Sequence, residues 1–234
     1  MGYLPIFFDV TGRQCVVVGG GQLAARKVES LVEAGARVTV VAQRLSPSLE
    51  AIVARGLVTH IARDYQRGDI RGCALVHAAT DDPKLHRELA AEARLLGIPI
   101  NVVDAPELCT FIAPAVVKRG ALQIAISTAG ASPAFAARLR RGLEQQFGTE
   151  YALTLEVLRS ARRCLHADEI DPADRMRRLK DLANSALPEA IAIGDLAAIE
   201  RILAAHLGEG VGLARLGIDS AALGLTRATE VGED

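Results

Sequence analysis

The run Val16-Val17-Val18-Gly19-Gly20-Gly21-Gln22-Leu23-Ala24 constrains this chain more than any other stretch. A short apolar, β-branched segment ends in three glycines, and a helical pattern begins at once. That is the strand–turn–helix setting of a dinucleotide-binding loop. Gly19 and Gly21 take the first two fingerprint positions, and Ala24 takes the third, small one. Gly19 permits the tight turn. Gly21 has no Cβ, so a pyrophosphate can approach the backbone, and Ala24 lets the helix sit close to the strand. The unpaired N–H groups of the helix N-terminus then point at the phosphates. The other reading of the same residues is an ordinary Gly-rich turn.

Bulk properties narrow the function classes. Half of the 234 residues are hydrophobic, enough for one sizeable core and a second, smaller unit. A net charge of −1 gives no basic field for nucleic acid, and the scarcity of aromatics, with no Trp, argues against base-stacking platforms. No apolar run is long enough to span a bilayer. Met1-Gly2-Tyr3-Leu4-Pro5 lacks the basic and apolar regions of a signal peptide, so a cytoplasmic protein is expected. Cys15, Cys73, Cys109 and Cys164 are widely spaced, which favours reduced thiols over disulfides or a zinc site.

Strand and helix patterns alternate through the first half. Strands are expected at Gln14–Val18, Arg37–Val41, Leu57–Ile61, Ala74–Ala78 and Ile98–Val103. Helices are expected over Gln22–Ala34, from the Ser46-Pro47 start, and from Asp82-Pro83 to Gly97, with Leu85, Leu89, Ala93 and Leu96 on one face. Leu4–Phe8 reads as an added edge strand. The alternation predicts a parallel sheet covered by helices. After Asp104 the pattern changes. Phe111–Lys118 and Ala121–Ser127 read as a hairpin around Arg119-Gly120. A small-residue loop and a helix from Ser132-Pro133 to about Gln146 follow. Beyond Gly148 only helices are expected: Tyr151–Leu165, Pro172–Asn184 and Leu196–Leu207. A Gly- and Ala-rich, acidic-ending stretch from Gly208 reads as a loose tail.

Chemistry-bearing residues gather at strand ends. Where an acid for the adenosine ribose is usual, this chain has Val41-Ala42-Gln43-Arg44. Gln43 offers a hydrogen bond to a ribose hydroxyl, whereas Arg44 suits a 2′-phosphate or stacking on adenine. The pattern therefore leaves NAD and NADP both open. Ala78-Ala79-Thr80-Asp81-Asp82 leaves room for a ribose, or is a plain capped turn. Asn101-Val102-Val103-Asp104-Ala105-Pro106 presents Asp104 on the same rim, as an acid–base group or as an Asx turn before Pro106. The five histidines do not cluster: His77 reads as core, and His60, His86 and His206 as surface or packing residues. There is no Tyr-x-x-x-Lys pair and no Ser nucleophile elbow, so by elimination Asp104 is the best acid–base candidate.

Several ordered motifs carry a resemblance. They are Leu4-Pro5-Ile6-Phe7, Val18-Gly19-Gly20-Gly21 with Ala24, Arg26 and Lys27, Glu33-Ala34-Gly35-Ala36, Ala78-Ala79-Thr80-Asp81-Asp82, Asn101–Pro106 and Ser132-Pro133. Together they resemble the siroheme synthase dehydrogenase module, a family of precorrin-2 dehydrogenases that often also act as sirohydrochlorin ferrochelatases. The likeness is dense over about residues 3–145. It implies a Rossmann-type α/β domain with a parallel sheet (1–113), a small dimerisation region (114–147) and a helical C-terminal domain (148–207), which leaves the tail at 208–234. It implies a homodimer, NAD as cofactor, a tetrapyrrole substrate and ferrous ion as a chelatase substrate. No residue is implied as a metal ligand.

By matched position, Gly19, Gly20, Gly21, Gln22, Leu23, Gln43, Arg44, Ala79, Thr80 and Asp81 would hold the dinucleotide. Asp104 matches the catalytic aspartate. Asn101, Thr128, Gly130, Ser132 and Arg138 would contact substrate; relatives carry Ser where Thr128 stands. The methyltransferase domain fused in some relatives would not fit in a chain of this length. Lys118, Arg119, Arg140 and Arg141 join Arg138 as candidates for substrate carboxylates. A dehydrogenase without chelatase activity, and a non-catalytic NAD-sensing domain, are the competing expectations.

Overall fold

Five parallel strands form the first sheet: β1 Gln14–Val18, β2 Arg37–Val41, β3 Val58–Ile61, β4 Leu75–Ala78 and β5 Ile100–Val102. Their order is β3-β2-β1-β4-β5. The central strand is apolar at every position after Gln14 because both its faces are covered. Cys15 and Val17 pack with α1 (Gln22–Glu33) and α2 (Pro47–Ala54). Val16 and Val18 pack with α3 (Pro83–Leu96). In this computed structural model, which describes residues 2–168 and 170–220, the chain divides into two units, Met1–Ala113 and Pro114–Asp234. Among the described residues no helix is long and apolar enough to cross a membrane.

Local chemistry explains the first unit's helix ends. Asp82 caps α3, its carboxylate accepting from the N–H groups of Lys84 (2.8 Å) and Leu85 (3.3 Å). Gly97 closes it at φ +66, with the Gly97 N–H on Arg94 O and the Ile98 N–H on Ala93 O. Ser46 stands at the N-cap of α2, but its hydroxyl makes no cap bond and is the buried polar side-chain atom without a partner among the described residues.

The second unit begins with the antiparallel hairpin β6 (Ala115–Arg119) and β7 (Leu122–Ile126), followed by α4 (Pro133–Gln146). Four helices build a separate core: α5 (Glu150–Ala167), α6 (Pro172–Ala183), α7 (Leu187–Ala192) and α8 (Leu196–Leu207).

Three expectations need correction. Leu4–Phe8 pairs with no strand; Leu4, Ile6 and Phe7 lie exposed, and Pro5 removes a ladder donor. Leu96 keeps to the stripe of Leu85, Leu89 and Ala93, but as the last residue of α3 it is 40% exposed. α7 was not foreseen. The tail expected from Gly208 is packed through Ile218, with Val211, Leu213, Leu216 and Ile218 buried in the helical core. The remainder of that tail, 221–234, lies outside the described residues.

Candidate nucleotide site

The order β3-β2-β1-β4-β5 reverses direction between β1 and β4, and the crevice at such a switch point is where open α/β sheets bind ligands. The loop leaving β1 and the loop leaving β4 are pressed together there. Gly19 adopts φ +125, and a Cβ on it would sit 2.1 Å from the Ala79 carbonyl oxygen. Gly20 is equally constrained for a different reason. A Cβ there would sit 1.8 Å from the Arg44 carbonyl oxygen, because the Ser46 N–H bonds Gly20 O at 2.7 Å and draws the two loops together.

Gly21 has open space in front of it; a Cβ would meet nothing within 4 Å. It is the N-cap of α1, and no side chain caps that end. The first amides of α1 therefore face this space without intrahelical partners. A phosphate fits such a cradle, since the N–H groups and the helix dipole both favour an anion there.

These loops enclose a cleft of about 420 Å³. Gly19, Gly20, Gly21, Gln22 and Leu23 line it from β1–α1, Gln43 and Arg44 from the end of β2, and Ala79, Thr80 and Asp81 from the end of β4. All ten residues expected at the dinucleotide thus border one cleft. Thr80 is tied down from behind, its hydroxyl paired with His86 Nε2 at 3.1 Å. Sequence reasoning missed Asp64 and Tyr65, which line the cleft from beyond β3. Gln43 Nε2 donates to Asp64 Oδ2 at 2.7 Å. The Tyr65 hydroxyl donates to Glu92 at 2.7 Å, and burial, reinforced by that carboxylate, pushes its pKa well up. A strand's parallel partner gave no sequence signal that these residues share a wall with Gln43.

Asp104 is not among the residues that line the cleft; it follows β5, which pairs in parallel with β4. The Val103 N–H bonds Ala78 O at 2.9 Å, which places the next residue beside the Ala79-Thr80 wall. Asp104 is exposed and takes φ +56, a left-handed conformation that Asp tolerates better than most residues. Among the described residues its carboxylate makes no hydrogen bond or ion pair, so no Asx bond holds the turn. Cys109 holds it instead. Its sulfur accepts from the Val102 N–H at 3.1 Å and lies within donating distance of Val102 O (3.3 Å) and Ala105 O (3.4 Å). The intervening Pro106–Leu108 makes one 3-10 turn.

Asn101, expected at the substrate, is buried instead. Its Nδ2 donates to Phe111 O at 3.2 Å, and its Oδ1 faces His77 Nδ1 at 3.3 Å. The side chain is therefore engaged inside the first unit. His77 packs edge-on against Phe111; burial first, and the Lys27 charge second, lower its pKa to about 4.

The other expected substrate residues lie in the second unit. The Thr128 hydroxyl donates to Ser132 O and accepts from the Ser132 N–H, both at 3.2 Å, closing a loop in which Ala129 and Gly130 take φ +49 and +85. Ser132 caps α4 through the Phe135 N–H at 3.1 Å. The Arg138 guanidinium lies 5.6 Å from the centroid of the Phe135 ring. Arg119 is committed to the carbonyls of Phe147 and Glu144, and Arg140 pairs with Glu144, so these two are structural.

A parallel sheet with a capless, glycine-led helix at its switch point defines an NAD(P)-binding protein of the Rossmann class. The comparisons with known proteins agree. Residues 6–115 match the family described as putative NAD(P)-binding, and residues 119–146 match the sirohaem biosynthesis protein central family. A siroheme synthase from Pseudomonas aeruginosa is 40% identical over 214 residues, covering 90% of this chain and 45% of the relative. One from Methylobacillus flagellatus is 46% identical over 151 residues, covering 64% of this chain and 32% of the relative. The chain thus spans less than half the length of these relatives. Among solved structures, SirC, a precorrin-2 dehydrogenase, superposes with a TM-score of 0.67 at 24% identity, covering 81% of this chain and 94% of that one. Residues 6–115 and 119–146 thus carry, in order, an NAD(P)-binding region and a sirohaem-biosynthesis central region, and over 214 residues the chain is a relative of the siroheme synthases.

Proposed function

We propose that this chain oxidises precorrin-2 to sirohydrochlorin with NAD as cofactor, and that Asp104 is the general base. The observation that carries the reading is the free, exposed Asp104 carboxylate, which follows β5 one residue after the bond that ties Val103 to the end of β4, the strand whose loop lines the cleft. Precorrin-2 must lose a hydride and a proton, and NAD+ when bound supplies the hydride acceptor. The protein's own tasks are to hold the dinucleotide, place the tetrapyrrole and take the proton. The amides at the start of α1 are suited to the pyrophosphate, and the small side chains of Ala79 and Thr80 leave room for a ribose. The unpaired carboxylate of Asp104 has its acceptor oxygens free for a substrate proton. Thr128, Gly130, Ser132 and Arg138 are assigned to substrate from the family resemblance; Asn101 supports its own unit from within.

Insertion of ferrous ion into sirohydrochlorin also removes two pyrrole protons, and the same base is assigned to that step. A homodimer through the hairpin and α4 is part of the reading. Val116, Phe135 and Leu139 are exposed there, and a two-stranded sheet of this size gains stability from a covering surface. Incubating the protein with precorrin-2 and NAD+ should yield NADH and sirohydrochlorin, and added ferrous ion should then give siroheme. Tight NAD+ binding with no NADH would replace the enzyme reading with the nucleotide-sensing one. NADH without siroheme would leave the dehydrogenase alone.

A further inference from the structure

The Rossmann pattern places a carboxylate at the end of the second strand to read the adenosine ribose, and this chain has Gln43 there instead. The fold supplies the missing group from elsewhere. β2 and β3 run parallel with Val41 opposite Ile61, and the Ala42 N–H bonds Ile61 O at 3.2 Å. The chains leaving the two strands therefore emerge side by side. Asp64 arrives in the wall of the nucleotide cleft with Oδ2 held at 2.7 Å by Gln43 Nε2.

We propose that Asp64, oriented by Gln43, reads the adenosine ribose diol and makes the site select NAD over NADP. The inference rests on the nucleotide-cleft reading above and goes beyond it to a specificity-determining residue. An ionised carboxylate only accepts hydrogen bonds. Gln43 must therefore turn its NH₂ toward Asp64, which leaves its own carbonyl oxygen facing outward. The pair presents acceptors, the complement of two ribose hydroxyls. A 2′-phosphate has no such complement here and brings negative charge to a carboxylate.

The nearby cations do not cancel Asp64. The Arg63 guanidinium is committed to Asp69, with bonds of 2.7 and 2.8 Å, and donates only to the backbone carbonyl of Asp64. Arg44 lines the same cleft and makes no ion pair among the described residues. It is the group a 2′-phosphate would seek. Asp64 and Arg44 thus oppose each other over cofactor choice, and the anchored carboxylate prevails.

The test is calorimetric titration of the full chain and of Asp64→Asn with NAD+ and with NADP+. Asp64 is exposed, and Asn keeps its shape, so thermal unfolding should be unchanged. The parent should bind NAD+ at least about tenfold more tightly than NADP+. Asp64→Asn should raise NADP+ affinity about tenfold while lowering NAD+ affinity only a few-fold, since Arg44 is then unopposed. Opposite shifts for two ligands would not follow from a loosened fold. A cofactor ratio that stays within about twofold overturns the assignment of Asp64 alone. A parent that binds neither dinucleotide overturns the cleft reading, and this inference with it.

Discussion

Gly21→Asp should make the first unit more stable and leave it unable to bind NAD+. Gly21 is the N-cap of α1, with φ −79 and ψ −174, an extended conformation that any residue can adopt. A Cβ there meets nothing within 4 Å. Asp is among the best N-cap residues, and α1 has no side-chain cap to lose. A carboxylate at the positive end of the helix adds about 0.3–1 kcal/mol, and removing glycine's freedom from the unfolded chain adds a similar amount. The net gain is about 1 kcal/mol, or a rise of roughly 4 °C in the unfolding midpoint. The same carboxylate would occupy the space of the pyrophosphate. Two like charges about 4 Å apart at an effective dielectric near 20 repel by about 4 kcal/mol, roughly a thousandfold in affinity. Calorimetric titration with NAD+ and thermal unfolding of the ligand-free variant read the two effects separately. Binding within about threefold of the parent would refute the loop assignment. A midpoint that falls by several degrees would refute the capping argument.

Gly20→Ala should do the reverse and lower stability before any ligand is added. Its Cβ would overlap the Arg44 carbonyl and strain the Ser46–Gly20 bond, at a cost of about 2–4 kcal/mol readable as a lower urea midpoint. Asp104→Asn should retain the fold and NAD+ affinity, because Asn tolerates φ +56. Dehydrogenation per NAD-competent site should fall about a hundredfold to ten-thousandfold, and a rate within a few-fold of the parent would remove the base assignment. His77 should make the first unit acid-sensitive. Its pKa is about 4 when folded and near 6.5 when unfolded, so as pH falls the unfolded chain takes up the proton first. Stability is then undiminished above the unfolded value and drops by up to about 3 kcal/mol as pH falls toward 4. Urea titrations at about pH 7 and about pH 4.5 should show a smaller difference for His77→Gln than for the parent.

The first unit was legible because its signals are local. A β-branched run, a glycine cluster, Asp82-Pro83 and Gly97 each specify a turn or cap within a few residues, and the structure uses Asp82 and Gly97 in that way. The lining of the cleft was legible for the same reason, since strand ends carry their own loops. Asp64 was not, because its partnership with Gln43 depends on which strands lie adjacent, and no spacing along the chain encodes it. Asn101 reads as a rim residue by position, but the alternation of β5 turns it inward onto His77 and Phe111. α7 has six residues and a proline in its first turn, too short for a helical period to show. The Gly- and Ala-rich stretch after Gly208 hides four spaced apolar anchors, Val211, Leu213, Leu216 and Ile218, that composition alone averages away.

The hydrogen bonds of the Cys109 thiol to Val102 and Ala105, on either side of Asp104, set a rule of length. From Val102 to Cys109 the chain leaves the sheet, makes a single 3-10 turn and returns to the backbone groups it left. Pro106 and Glu107 are exposed, and their side chains can vary with little effect on packing. The number of residues cannot vary. One inserted or deleted residue would carry the Cys109 thiol away from Val102 and Ala105 and let Asp104 relax out of its left-handed conformation. In an alignment of relatives this loop should therefore drift in composition and hold its length, whereas an ordinary surface loop accepts gaps readily.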